Sequence, residues 1–498
     1  MENTVTSETA RPETAAPLPA PRAPHHRLGR SWRSRAWWNT PRLVRGLTGL
    51  CLAALLVAGT ATAAVLGGAR DGTDVIGHQA APQVVRSADL YFALNDMDAQ
   101  AANLLLFGAD PDYTTLRKET LDTYEQRRTQ ADTDLQRVTE AVAGDAAGQR
   151  AVQTVIGELG RYEALVARAQ LLEEQAHAPA GRPSADALAA YRQATDLLRQ
   201  QLLPAVDDVT KANAAVVDRS YADQRGALAG GWWWILLSGL VALVALGLLQ
   251  RLLAVRFRRL VNVPLAITTL LTVVGLVAAL ALASRADDQL VVAKSNSFDS
   301  VIALSRARAV AYDLNADESR YLTDPSRAAA YEHSFLDKTQ SFARVDGATL
   351  ATYDAKLAAL ADRHRADHGQ VGFGGYLGDE LRNITFPGEQ DAAERVLAAF
   401  QQYQRDDRKI RELNTQGKLK EAVTYNTGLT PGQSNADFGI LSAALDDNQA
   451  INQRAFEAAV ATTDDDLDAI TAGLGAAALT VALVLTALGV RPRLREFA

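Results

Sequence analysis

The run GGWWWILLSGLVALVALGLLQ at residues 230–250, the ten residues RLLAVRFRRL at 251–260 and the run VNVPLAITTLLTVVGLVAALALAS at 261–284 decide the fold. Neither long run contains Asp, Glu, Lys or Arg, whereas the loop between them carries Arg251, Arg256, Arg258 and Arg259 and no acid. A helix rises 1.5 Å per residue, so about 20 apolar residues cross the ~30 Å hydrocarbon layer of a bilayer. Both runs are long enough. Two further charge-free windows lie at 46–69 and 470–490. One central charge costs about 2.5–3.5 kcal/mol on insertion, so four such windows in a chain that is 22% charged mark four membrane-spanning helices. The mean hydropathy of -0.08 then averages very apolar spans with polar intervening segments.

Those spans divide the 498 residues into a tail (1–45), a long segment (70–229), the loop (251–260), a second long segment (285–469) and a short end (491–498). The tail holds eight Arg against three Glu, the loop four Arg, and the end three Arg against Glu496, a net of +11 that leaves -18 for the two long segments. Positive flanks stay inside. Both termini and the loop are therefore expected in the cytoplasm, and both long segments outside, in a multi-pass protein of the cell membrane. The lone Cys51 lies within the first span, so no disulfide supports either outer segment. Leu50 before it excludes a lipoprotein signal, and a cleaved leader ending in the Ala61–Ala64 run is the rival to an anchored first span. Trp32, Trp37 and Trp38 among Arg30, Arg33, Arg35 and Arg42, after a Pro-rich and otherwise disordered tail, suit anchoring at lipid headgroups.

The two outer segments look like copies. Leu94-Asn95 matches Leu314-Asn315, Pro111 matches Pro325 and Leu121-Asp122 matches Leu336-Asp337; Tyr162 then matches Tyr403, and Asp207-Asp208 with Asn213 match Asp446-Asp447 with Asn452. The offset grows by 20–26 residues midway, which places an insertion at the Gly-rich stretch 369–388. Within each copy the apolar period is that of a narrow helical seam. It runs Val152, Val155, Leu159, Tyr162, Val166, Ala169 against Val396, Phe400, Tyr403, Asp407, Ile410 in the third helices. In the fourth helices it runs Leu198, Leu202, Val206, Val209, Asn213, Val216, Ser220 against Leu441, Leu445, Asn448, Asn452, Ala455, Ala459. Breakers at 108–111, 144–148 and 179–184, and at 324–325, 369–388 and 428–432, separate the helices. The expectation is an all-α membrane protein: four transmembrane helices and, by tandem duplication, two extracytoplasmic antiparallel four-helix bundles whose first and last helices run into the membrane. Pro204 should kink the fourth helix of the first bundle.

No GxSxG, P-loop, CxxC or HExxH is present, which argues against an enzyme, and no cofactor is expected. Intramembrane ionisable groups mark transport pathways, and these spans have none, which disfavours a transporter. His364 and His368 are four apart, a spacing that suits a metal, but no third ligand is evident in the sequence and a solvated helix end is the simpler reading. The run Asp464, Asp465, Asp466, Asp468 reads as a solvated flank of the last span, with calcium the alternative. Asn213 and Asn452 in the seam suit a register-fixing role. Better suited to recognition is the first helix of the second copy. Arg306 and Arg308 precede Tyr312, Asn315, Ser319, Arg320 and Tyr321, and Arg308, Tyr312, Asn315 and Ser319 fall on one stripe of guanidinium, phenol, amide and hydroxyl groups. Such a stripe suits a carboxylate or amino-acid ligand, or packing between the bundles. The first copy keeps only Asn95 in register, so the second is expected to carry recognition, with the turns far from the membrane as further exposed surface.

The alternation of span, acidic helical bundle and span, taken twice, the loop Arg256-Phe-Arg258-Arg259-Leu-Val-Asn-Val-Pro264-Leu, and the stretch Ala-Tyr-Asp-Leu-Asn-Ala-Asp-Glu-Ser-Arg-Tyr-Leu at 311–322 resemble an actinobacterial family. It is the GlnX-type four-span membrane protein of glutamate and glutamine sensing. Each bundle is also similar to the four-helix ligand domain of chemoreceptors, through the Gly417-Lys-Leu-Lys-Glu421-Ala422 run before the last helix; no cytoplasmic signalling coil follows, so output would go to a separate protein. The resemblance implies an extracytoplasmic amino-acid-binding lipoprotein and a soluble Ser/Thr kinase as partners, with Arg251, Arg256, Arg258 and Arg259 at the cytoplasmic coupling point. It implies no nucleic acid and leaves a homodimer open. The function expected is a transmembrane signal relay, with an envelope binding or scaffold protein that transmits nothing as the alternative.

Overall fold

The computed structural model describes residues 40–141, 146–257, 262–469 and 473–495. Trp32, Trp37, Trp38, Arg258 and Arg259 lie outside the described residues. The described chain is helical throughout, apart from loops and one antiparallel bridge between Arg344 and Gly374. In chain order the helices are α1 Thr40–Asp74, α2 Ala81–Phe107, α3 Thr114–Ala141, α4 Ala146–Ala176, α5 Ala185–Leu197, α6 Leu203–Phe257 and α7 Val263–Val291. There follow α8 Asp299–Thr323, α9 Ala328–Phe342, α10 Tyr353–Ala366, α11 Gly375–Arg382, α12 Glu389–Thr415, α13 Leu419–Thr427, α14 Ser434–Ala469 and α15 Gly475–Arg495.

Four helical stretches are long and apolar enough to cross a membrane: Pro41–Phe107, Ala185–Arg256, Val263–Thr323 and Gly475–Pro492. In the first three, span and polar segment form one continuous rod. The apolar parts of α1, α6, α7 and α15 pack in a ring, α1 on α6, α6 on α7, α7 on α15 and α15 on α1. Cys51, Leu55, Ala242, Leu246, Leu249, Leu265 and Val490 fill its interior. Its outer face is as apolar as its core: Leu56, Val57, Leu240, Val241, Val244, Leu270, Val274, Val277, Val481 and Val484 are all exposed. Water would not tolerate so continuous an apolar belt, and lipid would. Gly59 and Gly239 allow the rods to approach closely, since a Cβ at either would stand 2.6 Å from a methyl of Leu479 or Leu276 respectively.

Three π-helical turns interrupt the rods, at Val75–Ala80, Leu198–Leu202 and Val292–Phe298. Their closing bonds run five residues back, from Ala81 to Ile76, Leu203 to Leu198 and Asp299 to Lys294. Two of them directly precede Pro82 and Pro204. A proline inside a helix lacks an N–H and its ring crowds the carbonyl four residues back; a widened turn relieves both problems without breaking the rod. The kink expected at Pro204 therefore takes the form of a π turn.

Residues 90–209 share one core, in which Leu94, Leu135, Val155, Tyr162, Tyr191, Leu202 and Val206 are buried; residues 304–445 share another around Phe335, Phe342, Leu357, Phe400, Tyr403, Leu441 and Leu445. We call these the first and second helical units. Every seam residue read in the two third helices is buried. The first fourth-helix seam departs from the expectation: after Val209 the next buried apolar residue is Val217 and not Val216, which is exposed. A straight α-helix drifts out of phase with a 3.5-residue repeat, and Val217 packs in a different cluster, with Leu66 and Val84. The second unit is also more broken than its repeat suggested. Its second helix stops at Phe342, and Ala343–Thr352 forms a loop held by the Tyr353 hydroxyl on the Ala343 carbonyl (2.5 Å), with Gly347 at φ 62°. The Gly-rich stretch 369–388 contains the short helix α11.

At the level where rods leave the apolar ring, polar side-chain contacts tie them together. Arg70 meets Asp468 at 2.7 Å, His78 meets Asp464 at 2.9 Å, Arg225 meets Asp287 at 3.3 Å and Lys294 meets Asp218 at 2.9 Å. Two acids of the run at 464–468 are therefore partners of α1 and of the π turn after it.

Candidate functional site

The stripe on α8 faces inward to the first unit, because α8 lies along α2 for most of its length. Arg308 is mostly buried, its side chain 14% exposed. Its two terminal nitrogens reach Asp89 (2.9 Å) on α2 and Asp446 (2.8 Å) on α14, and its guanidinium lies 4.1 Å from the centre of the Phe92 ring. Tyr312 meets Phe92 and Phe438 edge to face, both at 4.8 Å, and its hydroxyl pairs with Ser442 at 3.0 Å. The Asn315 amide donates to Asn435 (3.0 Å), and the Ser319 hydroxyl donates to Asn103 (2.5 Å) while accepting from Asn426 (2.9 Å). Arg306 stands 3.9 Å from Asp207, and Tyr321 lies under the Arg411 guanidinium at 4.6 Å. Asn95 is buried but turns back on its own helix, donating to the Tyr91 carbonyl at 2.8 Å. Arg251 and Arg256 are exposed at the far end of α6.

At the centre of this interface Arg320 is 1% exposed, the largest of the fully buried side chains. It bonds Asp98 of α2, Asp317 (2.5 Å) and Asp313 (2.9 Å) of α8, and the Tyr191 hydroxyl of α5 (3.1 Å). Asp98 also accepts from Thr195 (2.7 Å) and Tyr162 (3.2 Å), and Lys338 of α9 reaches Asp317 (2.5 Å) and Asp313 (2.7 Å). Arg199 stands 4.0 Å from Asp317 at the rim. Three carboxylates thus meet three cations, so the cluster is balanced. Burial raises the Asp313 pKa, but Lys338, Arg320 and Arg199 outweigh it and hold the carboxyl below its ordinary range. Around the rim, Arg192 pairs with Asp324 (2.7 Å), Arg327 with Asp196 (3.2 Å) and Lys420 with Asp112 (2.5 Å). Leu106, Phe107 and Tyr113 of the first unit share an apolar cluster with Tyr321, Leu322, Tyr331 and Ile410 of the second.

Tyr191 also lines a cavity of about 240 Å³ within the first unit. Leu104, Leu105, Val166 and Ala169 form its apolar wall; Arg117, Lys118, Gln170, Glu173 and Glu174 supply both signs of charge and an amide. Gln170 Nε2 and Glu173 Oε1 are buried without a hydrogen-bond partner, although Ser184 N–H donates to the other Glu173 oxygen at 2.9 Å. Burial raises the Glu173 pKa, against the Ser184 bonds and Arg117. Arg117 is held by the Gly108 carbonyl (3.2 Å) and Glu174 (2.9 Å). Gly108 itself is obligatory: its φ is 55°, and a Cβ there would stand 2.5 Å from the Ala178 carbonyl oxygen.

Residues 72–222 match the actinobacterial sensor domain. The match spans α2 to α5 and the first 20 of the 55 residues of α6, just under a third of the chain, and it contains the whole cavity and Tyr191. It supports a sensing role for this sensor-like region. No curated protein and no solved structure gives a match.

The sequence reading singled out the α8 stripe and missed Asp98, Tyr191, Lys338 and the cavity residues. One signal was available. Asp98 falls in phase with Leu90, Leu94 and Ala102, four residues apart along α2, and an acid in an apolar seam demands a buried partner.

Proposed function

We propose that the chain is a four-span sensor whose first unit takes a small zwitterionic ligand of the amino-acid class. The observation that carries this reading is the position of Tyr191: it lines the cavity and its hydroxyl accepts from Arg320 of α8. A ligand carboxylate suits Arg117 and Lys118, a ligand ammonium suits Glu173 and Glu174, and Gln170 has an amide nitrogen to donate. A ligand that displaces Tyr191 would act on Arg320, and α8 is one rod with the π turn at 292–298 and with α7. The α8 stripe then couples the units and does not itself capture the ligand. The charge balance of tail, loop and end supports an orientation with both units outside and both termini inside. The likeness between the units supports an origin by duplication: Pro111 and Pro325 both open a 3₁₀ turn, Tyr162 and Tyr403 are both fully buried, and a π turn precedes each first helix.

In this reading the output passes through Arg251–Arg259 to a separate cytoplasmic partner, for which the resemblance to the GlnX type favours a Ser/Thr kinase, and a ligand-loaded lipoprotein is an alternative input at the membrane-distal turns. Calorimetric titration of glutamate, glutamine and other amino acids onto the full-length protein in nanodiscs tests the site. One amino acid should bind at one site per chain, and Arg117→Ala should weaken it by about 1.5–3 kcal/mol, roughly 10- to 150-fold. Binding that is absent, or unchanged in Arg117→Ala, contradicts the assignment. An envelope scaffold is the second reading, distinguished by binding that changes nothing on the cytoplasmic side.

A further inference from the structure

A second site lies in the second unit at the root of the Gly-rich stretch 369–388. α10 carries His364 in its last turn and ends at Ala366. The turn that follows is built on Asp367, whose carboxylate accepts from Gly369 N–H (3.1 Å) and the Gln370 amide (2.8 Å). It folds His368 back over the helix end, with the two imidazoles 5.6 Å apart and perpendicular. From the neighbouring helix α12, Glu394 Oε1 stands 2.7 Å from His368 Nδ1 and 3.7 Å from His364 Nε2. One donor atom from each of the three residues falls within 4.8 Å of the others.

His364 is the decisive member. It is completely buried, and neither of its ring nitrogens has a hydrogen-bond partner. Buried imidazole nitrogens are almost always satisfied by protein, water or metal, and Nε2 here is directed at a carboxylate too far away to bond it. An ion between the three groups would give His364 Nε2 a partner and replace the contact between Glu394 and His368. Gln390 donates to the same Glu394 oxygen at 2.8 Å and so orients the carboxylate, as partners one step removed from a metal commonly do.

We propose that His364, His368 and Glu394 bind a divalent first-row transition-metal ion, zinc above all. Two imidazoles and one carboxylate are a zinc donor set; calcium and magnesium take oxygen alone. A cavity of about 390 Å³ opens against Glu394, so water can complete a four-coordinate ion from that side. Arg365 and Arg395 line the same cavity and oppose a cation electrostatically, but Arg365 is paired with Asp362. The ion would pin the end of α10 to α12 and fix the root of the Gly-rich insertion. The i, i+4 spacing of His364 and His368 is visible in the sequence; the third ligand is 26 residues further on, in another helix, so no run of residues reveals it.

The test uses the full-length, tag-free protein in detergent, stripped with a chelator and titrated with zinc against a chromophoric competitor. One tight equivalent per chain is expected, with a rise in Tm on loading because the ion binds only the folded state. His368→Ala and Glu394→Gln should each lose that equivalent and the Tm rise. His368 is more than half exposed, so its removal opens no core cavity. Wild-type protein that takes up no zinc, or variants that keep both the tight equivalent and the Tm rise, overturn the proposal. Cobalt substitution gives an independent reading: visible bands of a four- or five-coordinate ion support the site, and the spectrum of hexa-aqua cobalt contradicts it.

Discussion

Buried charge in this protein falls into paired and unpaired groups, and the two behave differently. Arg320 with Asp98, Asp313 and Asp317 is paired, so deleting either side strands a charge in the interior. Glu380 of α11 is not paired with a cation. It is 1% exposed and accepts from the amides of Asn448 (3.0 Å) and Asn452 (3.3 Å), while Oε2 has no partner. Burial, aided by the nearby Glu389 charge, pushes its pKa up to about 7. A carboxyl whose folded pKa lies above its unfolded value of about 4.5 binds its proton more tightly in the native state, so stability falls as pH rises from about 4.5 to 7. The second unit should therefore be more stable at pH 5 than at pH 7.5. Glu380→Gln should raise stability at pH 7.5 by up to about 3 kcal/mol and flatten that pH dependence, as followed by denaturant unfolding; a variant with the wild-type slope would refute the attribution. The residues themselves were legible as polar positions on helices. Asn452 suggested a register-fixing amide, but its partner Glu380 is 72 positions away, as Asp98 is 222 from Arg320, and periodicity carries no information about such pairs.

At the scale of helices the period was a good guide wherever one apolar core lies beside the rod. Both third helices follow it completely, and so does α6 as far as Val209. Beyond that point α6 leaves the first core for the junction above the spans, where Val217 packs with Leu66, Val84, Phe298 and Phe456. The change of neighbours rotates the buried face, and a repeat read from one core cannot anticipate it. Truncation separates the two phases. Leu202→Ala should cost about 2–5 kcal/mol, and Val217→Ala clearly more than Val216→Ala, whereas Gln200→Ala on the exposed side should stay within about 0.5 kcal/mol. Equal losses at 216 and 217 would restore the uncorrected seam. The π turns were not legible either, except that Pro204 marked the place of one; the turn at Val292–Phe298 has no proline to announce it.

For the whole molecule, the four apolar helices and the acidic segments between them followed from charge and length alone, because burial in lipid imposes a composition that no helix in water needs. The packing of one unit on the other did not follow, since a stripe of Arg, Tyr, Asn and Ser looks the same whether it awaits a ligand or a neighbouring helix. Its contacts, Arg308 with Asp89 and Arg320 with Asp98, make the two units one mechanical body above the ring of spans. In that body Tyr191 lines a cavity and bonds the rod that runs to the membrane. Hydrogen exchange of the full-length protein in nanodiscs, with and without the amino acid that binds, tests this arrangement directly. Ligand should slow exchange in 104–118 and 166–174 and alter it at 292–298, and Tyr191→Phe should keep the first effect and lose the second. Protection confined to the cavity in the wild type, or a response at 292–298 that survives Tyr191→Phe, would contradict it.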